Sequence, residues 1–291
     1  MAACRGAGLG LRPAHLHEVC RAEPAIPWFE VHICNFLGGG LNRALLQRIG
    51  ERYPLSFHGV NLNLGGVDEL DRSYLQRLRR AVAEFQPALV SEHACFTAHQ
   101  QHYFHDLLPV PFTDEAVLHM AARIRQVQDC LGREILIENI SRYAAYEESQ
   151  LSECEFLSAV CQEADCGLLL DLNNAYVNQC NLGEDLNDFV DGLPLSRVGE
   201  VHLAGHAEDS DDNGKRLLID SHDRQVVDDV WQLYDRAIAR VGALPTLIEW
   251  DSDIPAWPIL FDEAQRAEAV MASRADIGEY ATTRPADHEL A

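Results

Sequence analysis

The sequence predicts a (β/α)₈ barrel, and three observations support that prediction. Short apolar runs alternate with longer amphipathic segments, which is typical of a parallel sheet whose strands are connected by helices. Eight such units fill roughly 270 residues, a length that favours a closed TIM-like barrel over an open doubly wound sheet. No linker or shift in composition divides the chain of 291 residues. We therefore expect a single domain over 1–274.

Eight apolar runs are the candidate strands of this barrel. Nearly all of them end in a polar residue of a type that binds metals. In chain order they are Ala7–Leu11, Trp28–Ile33, Leu55–Leu64, Ala88–Phe96, Glu134–Ile140, Gly167–Asn173, Val198–Ala204 and Thr246–Trp250.

Between these runs, apolar residues recur at helical spacing. Thr113 is expected to cap one helix, and Ser152 with Glu155 forms the pattern of a capping box before the next. Two long helical patterns cover Thr113–Leu131 and Asp223–Val241, and a shorter one covers Leu260–Met271. The polar tail over 275–291 has no apolar period, and we expect it to be disordered or only loosely docked.

Charge and cysteine usage limit the classes of function. The 46 acidic and 23 basic residues give a formal net charge of −23. That field repels nucleic acid and anionic membranes and attracts cations, although an acidic surface also serves solubility alone. No apolar run is long enough to span a membrane, and no secretory signal is visible. The nine cysteines, without a CxxC pair, indicate reduced thiols and a cytoplasmic protein.

Ligand-type residues stand at the C-terminal ends of the predicted strands. These ends meet at one mouth of a barrel, where active sites lie. A hairpin-like insertion after the seventh strand delivers two more such residues. Four imidazoles and four carboxylates should therefore converge: His58, His93, Glu138, Asp171, His202, Asp220, His222 and Glu249.

Such a set predicts a centre with more than one metal ion. A single metal cannot use eight ligands of this kind and keep a position open for chemistry, whereas two or three bridged metals can. Imidazole mixed with carboxylate suits iron, manganese or zinc. One strand-end histidine alone is more often a packing residue, but several buried carboxylates without counter-charge would be costly.

Eight segments resemble the multinuclear non-haem iron-dependent oxidases, the family of the methanobactin biosynthesis protein B. The resemblance runs from Gly6 to Met271 and implies two or three irons, mixed-valent in the active form, on the eight residues named above. It adds Asn174 as a further ligand of some relatives, places His206 beside the ligands, and puts Cys34 where an acid is expected. The segments are HGVNLNLGG, SEHACF, LLPVPFTDEAV, LIENISRY, LLLDLNNAYV, GEVHLAGH, LLIDSH and LIEWD.

The resemblance is closest to the compact subgroup that matures bufferins, which are small cysteine-rich copper-binding peptides. It implies a dioxygen-dependent oxidase that converts cysteines of a ribosomally made precursor peptide to thiooxazoles. It also implies a separate partner protein that recognises the precursor. One alternative is a divalent-metal barrel hydrolase or isomerase that resembles endonuclease IV or xylose isomerase, although the acidic charge disfavours a DNA enzyme. Another is a metal-storage protein, which open coordination positions at a barrel mouth disfavour.

Three histidines, His99, His102 and His105, lie three residues apart after the fourth strand. A row of ligands at that spacing would need a helix, and Pro109 and Pro111 predict a loop instead. We therefore expect these histidines to face solvent or to belong to a lid.

Overall fold

The computed structural model describes residues 3–100, 102–210 and 213–282, with side chains as far as 274. Eight parallel strands form a closed barrel at its centre, which confirms the predicted fold class. They are β1 (Ala7–Gly10), β2 (Phe29–His32), β3 (Leu55–Gly59), β4 (Leu89–His93), β7 (Leu136–Glu138), β8 (Gly167–Asp171), β9 (Val198–Ala204) and β12 (Thr246–Glu249). Around the barrel the order is β1-β12-β9-β8-β7-β4-β3-β2.

Helices follow the strands along the chain. Thr113 caps the helix Asp114–Leu131 by accepting a hydrogen bond from the backbone of Ala116, and both hydrogen bonds of the capping box at Ser152 and Glu155 are present. The helices are α1 (Leu16–Ala22), α2 (Leu41–Gly50), α3 (Arg72–Phe85), α4 (Asp114–Leu131), α5 (Glu153–Ala164), α6 (Leu172–Leu182), α7 (Leu186–Gly192), α8 (Asp228–Val241) and α9 (Trp257–Thr282).

The last two helices differ from their predicted bounds. Helix α8 begins later than predicted, with Val227 as its N-cap. Helix α9 extends beyond the predicted segment in both directions. Residues 283–291 of the predicted tail lie outside the described part of the chain, so disorder there stays a prediction. Within the described residues, no helix is both long and apolar enough to cross a membrane.

Two hairpins interrupt the barrel pattern. The second, β10 (Ala207–Ser210) with β11 (Arg216–Ile219), is the predicted insertion. The first, β5 (Phe96–His99) with β6 (His102–Leu108), replaces the loop that we expected there. The loop prediction is wrong because the two prolines come only after the second strand has ended. The Asn63 side chain also holds the first strand, accepting from the backbone of Thr97 at 2.7 Å and donating to the carbonyl of Ala98 at 3.1 Å.

The strand register determines which side chains meet inside the barrel. Residues two apart on a strand face the same side. His58 therefore shares the inner face of β3 with Ser56, whose hydroxyl reaches across the barrel to Glu200 at 3.2 Å. Neighbouring strands align so that His32 lies beside His58 and His93 beside Glu138. The interior thus carries polar residues in layers, with the upper layer at the C-terminal mouth.

Candidate metal centre

The first group of candidate ligands lies at the ends of β3, β4 and β7. His58, His93 and Glu138 are all buried. The Nε2 atoms of the two histidines lie 3.2 Å and 3.3 Å from Glu138 Oε2, and 3.3 Å from each other. Three donor atoms therefore surround one point, which is the arrangement that a metal ion requires.

Hydrogen bonds on the far side of these two imidazoles set their orientation. His58 Nδ1 lies 2.7 Å from the hydroxyl of Ser91, and His93 Nδ1 lies 3.0 Å from the carbonyl of Gly59. With Nδ1 of each ring occupied, Nε2 points at Glu138. Partners of this kind fix ring orientation and tautomer in metal sites.

Glu138 also belongs to a second group, formed with Asp171 and His202. Its Oε1 lies 3.7 Å from His202 Nδ1, while its Oε2 faces the first group. His202 Nδ1 lies 3.2 Å from Glu249 Oε2 as well. The two oxygens of Glu138 thus face two different donor groups. This is the geometry of a carboxylate that bridges two metal ions in a multinuclear centre.

A third group at the rim combines Asp171, His222 and Glu249. His222 Nε2 lies 2.7 Å from Asp220 Oδ1, and its Nδ1 lies 3.5 Å from Glu249 Oε2. Asn174 stands next to this group: its backbone N–H donates to Asp171 Oδ1 at 2.6 Å, and its buried side-chain oxygen has no hydrogen-bond partner. All nine residues named from the sequence therefore lie at the mouth of the barrel.

Several buried donor atoms in these groups have no hydrogen-bond partner. They are Glu138 Oε2, Asp171 Oδ2, Asn174 Oδ1 and His202 Nδ1. Within the described residues, neither Glu138 nor Asp171 forms an ion pair with lysine or arginine. Leaving such atoms unsatisfied is costly in a protein interior, so the residues present fit a bound cation.

The pKa values of the metal-free site show buried groups that perturb one another. Burial lowers the pKa of His93, but nearby carboxylates, Glu138 first among them, raise it overall to about 9. Burial raises the pKa of Glu138 to about 8 and that of Asp171 to about 7. Burial, together with the neighbouring His93, lowers the pKa of His58 well below its usual value. A neutral His58 is the form that can bind a metal, and a cation would favour the ionised form of both carboxyl groups.

The loop that carries His222 is held in an unusual backbone conformation. His222 has a φ of 47°, in the left-handed region, and its N–H donates to the carbonyl of Gly205 at 3.0 Å. A Cβ on Gly205 would lie 2.2 Å from the carbonyl oxygen of Arg224, so glycine is required for this close approach. The hydroxyl of Tyr143 accepts from the backbone of Asp220 at 3.0 Å. These contacts place the ligands after β11 over the mouth.

His206 supports the rim group indirectly. Its Nδ1 lies 2.8 Å from Asn173 Oδ1, and the Asn173 amide donates to Asp220 Oδ1 at 2.7 Å. This chain of contacts is consistent with the predicted position of His206 beside the ligands. Cys34 lies just beyond β2 and is half-buried, and burial raises the pKa of its thiol.

Sequence reasoning missed four acidic or imidazole side chains and one arginine in this region. Arg12 ion-pairs with Asp251 and lies 3.4 Å from Glu249 Oε1, and His32 Nε2 lies 3.4 Å from the same oxygen. Alternation along the strands could have found three of the five missed residues, because each of the three stands two positions before or after a histidine or carboxylate at the mouth. The missed residues are Glu30, His32, Glu200, Asp251 and Arg12.

The ligand groups form the floor of a cavity of about 490 Å³. The β5–β6 hairpin supplies one wall through Tyr103 and His105, and Tyr143 borders another part. Tyr103 is 61% exposed and Tyr143 is 40% exposed. Of the three histidines of this hairpin, His105 lines the cavity, whereas His99 and His102 are paired with each other across the two strands. The volume is within the range of small-ligand pockets, and it admits a side chain with its flanking backbone.

Comparison with known proteins gives both a family and a fold. The model of the family described as "RiPP precursor modification enzyme MbnB/TglH/ChrH" matches residues 6–272. A UPF0276 protein of Acaryochloris marina is 45% identical over 93% of this chain and 96% of its own. A UPF0276 protein of Rhizobium meliloti is 47% identical over 84% and 79%.

Solved structures with the same barrel are much more distant in sequence. A xylose isomerase-like TIM barrel protein from Mycobacterium smegmatis, in complex with magnesium, has a TM-score of 0.59 at 12% identity and covers 94% of this chain and 99% of its own. Endonuclease IV from Thermus thermophilus has a TM-score of 0.54 at 15% identity over 94% and 99%. At these identities the likeness concerns the fold alone.

Proposed function

Because the chain belongs to the MbnB/TglH/ChrH family of enzymes that modify ribosomally synthesised peptide precursors, we propose that it is an iron- and dioxygen-dependent oxidase acting on cysteine. The substrate is a precursor peptide, and the product at each modified cysteine is a thiooxazole. A peptide of the bufferin type, small and rich in cysteine, fits this proposal best. Maturation of such peptides links the enzyme to copper homeostasis.

One observation carries the proposal: nitrogen and oxygen donors converge from six strand ends and a hairpin, and several of the buried ones have no hydrogen-bond partner. Glu138 presents one oxygen to each of two donor groups. Imidazole and carboxylate donors without thiolate suit iron among the transition metals. We therefore propose two or three iron ions held by His58, His93, Glu138, Asp171, Asn174, His202, Asp220, His222 and Glu249.

Bound iron supplies the redox chemistry with dioxygen and lowers the pKa of a thiol that binds to it. The chain's own residues contribute position and charge. Ser91 and the carbonyl of Gly59 hold the two imidazoles of the first group. Tyr103 and Tyr143 border the opening, where they can contact residues beside the reacting cysteine. The floor of the cavity is acidic, so it retains cations while the neutral thiol side chain enters.

Recognition of the precursor is proposed to require a second protein. The described residues form the barrel, its helices and two short hairpins, and neither hairpin is large enough to be a separate peptide-binding domain. The net charge of −23 suits a partner with a basic surface. The reaction belongs in the cytoplasm, where the substrate's cysteines and the nine cysteines of this chain stay reduced.

The test is a reconstituted reaction followed by mass spectrometry. Iron-loaded protein, a cysteine-containing precursor and the candidate partner are mixed with and without dioxygen. We expect the precursor to lose hydrogen at its cysteines only when dioxygen and the partner are present. A precursor with serine in place of those cysteines should not react, because a hydroxyl is far less acidic than a thiol. Mass loss without dioxygen, or with the serine peptide, would overturn the proposal.

Two variants separate the metal centre from the rest of the protein. His58→Ala and His222→Ala each remove an imidazole from a different ligand group, and both should abolish the mass loss. Substitution of His17, an exposed residue of helix α1 that does not line the cavity, should leave it unchanged. Efficient modification of a full-length precursor by the barrel alone would contradict the role of the partner.

A further inference from the structure

Behind the candidate ligands, one layer deeper in the barrel, lies a buried carboxylate that the ligand set does not include. Glu30 stands at the middle of β2 and is fully buried. Its Oε2 lies 3.1 Å from His202 Nε2, while its Oε1 has no hydrogen-bond partner. The two residues come from strands that are far apart in sequence, and they meet inside the barrel.

The contact assigns different roles to the two nitrogens of His202. A carboxylate can only accept a hydrogen bond, so the hydrogen of a neutral imidazole resides on Nε2 when that atom faces Glu30. The lone pair then resides on Nδ1, which has no hydrogen-bond partner and faces Glu249 Oε2 at 3.2 Å. His58 and His93 have the opposite arrangement, because their Nδ1 atoms are occupied and their Nε2 atoms face Glu138.

We propose that Glu30 is a positioning residue that holds His202 with Nε2 protonated and Nδ1 directed at the metal centre. The proposal rests on the metal centre described above and adds a residue to it. A carboxylate behind an imidazole also makes the opposite nitrogen a stronger donor. His202 should therefore bind metal through Nδ1, whereas His58 and His93 bind through Nε2.

Glu200 provides a matched control for Glu30. It is also fully buried, and it lies two residues before His202 on β9. Its hydrogen bond comes from the hydroxyl of Ser56 at 3.2 Å and not from His202. Replacing either glutamate by methionine removes a buried carboxylate of similar size, but only the change at Glu30 removes the acceptor of His202.

The experiment uses Zn²⁺ alone as the probe, with the full-length protein labelled with ¹⁵N-histidine. In the wild type, NMR should show His202 protonated at Nε2 with Nδ1 bound to zinc. Glu30→Met should weaken zinc binding by about 10–100-fold and leave His202 without a fixed tautomer. Glu30→Gln keeps an oxygen that can accept from Nε2, so it should restore the tautomer and part of the affinity. Glu200→Met should weaken zinc binding much less than Glu30→Met.

Two results would overturn the role of Glu30. The first is a wild-type His202 that binds zinc through Nε2, and this result needs no variant that might unfold. The second is an equal loss of affinity in Glu30→Met and Glu200→Met. These readouts involve neither dioxygen nor a peptide, so failure of the oxidase reaction would leave the inference standing. A wild type that binds no zinc would overturn both the inference and the metal centre.

Discussion

Two clusters in this barrel contain buried carboxylates but give them different partners. Behind the mouth, Arg142 lies 3.0 Å from Glu153 and 2.5 Å from Glu184, and Asn178 donates to Glu153 at 3.3 Å. In the mouth, Glu138 and Asp171 have no arginine or lysine partner among the described residues and retain unpartnered oxygens. Glu153 thus has a permanently charged partner within the protein, whereas Glu138 and Asp171 have only histidines near them and keep oxygens without a hydrogen-bond partner, which a bound cation would satisfy.

The difference shows which buried carboxylates indicate function. A buried acid with an arginine beside it is explained by the fold, because each charge compensates the other. Buried acids whose oxygens lack a hydrogen-bond partner need a further explanation, and a bound metal ion supplies one. Substitutions in the two clusters should therefore affect different properties: metal binding in one and folding stability in the other.

The largest expected effect comes from Glu138→Gln. A neutral amide cannot bridge two metals, so we expect metal content and activity to fall by more than the roughly 10–100-fold seen when only an outer partner is lost. Stability of the metal-free protein should not fall, because a buried carboxyl with a raised pKa is removed. Metal analysis and urea denaturation measure the two effects. Full metal content in this variant would refute the bridging assignment.

The next effect concerns the compensated cluster. Arg142→Met leaves Glu153 buried without its cation, and we expect the free energy of unfolding to fall by about 3–5 kcal/mol. Urea denaturation measures the loss. The double variant Arg142→Met/Glu153→Met removes both charges and should recover most of it. A double variant no more stable than the single one would show that the pair is not the source of the effect.

The smallest expected effect concerns His206, which reaches the rim only through Asn173. His206→Ala removes that support, and we expect zinc affinity to fall by about tenfold, the lower end of the range for outer partners. His119, which bonds to the backbone of Gly66 on the outside of the barrel, is the matched control. His119→Ala should leave zinc affinity unchanged, and equal losses in both variants would exclude a specific role for His206.

Much of the fold could be predicted because hydrophobic alternation and helix caps are local signals. The eight strands occur in the predicted order, and β9 has the predicted bounds. The β5–β6 hairpin could not be predicted in this way. It is held by Asn63, a residue about 35 positions earlier in the chain, and no local pattern reveals such a contact.

The site was predictable to the extent that ligands stand at strand ends. All nine named residues lie at the mouth, but Glu30 and Glu200 were missed because they stand inside strands among apolar neighbours. Each precedes a histidine by two residues, Glu30 before His32 and Glu200 before His202, so both pairs share an inner face. The pairing of Glu30 with His202 across the barrel is a tertiary contact that requires the structure.

The most direct test of the central claim is the metal content of the protein purified without exposure to dioxygen. We expect more than one iron per chain in the wild type. A matched preparation of Glu138→Gln should contain less. More than one iron per chain in the wild type, together with a lower iron content in Glu138→Gln, would support a multinuclear iron centre at the mouth. Zinc or magnesium in place of iron, or at most one metal ion per chain, would contradict it.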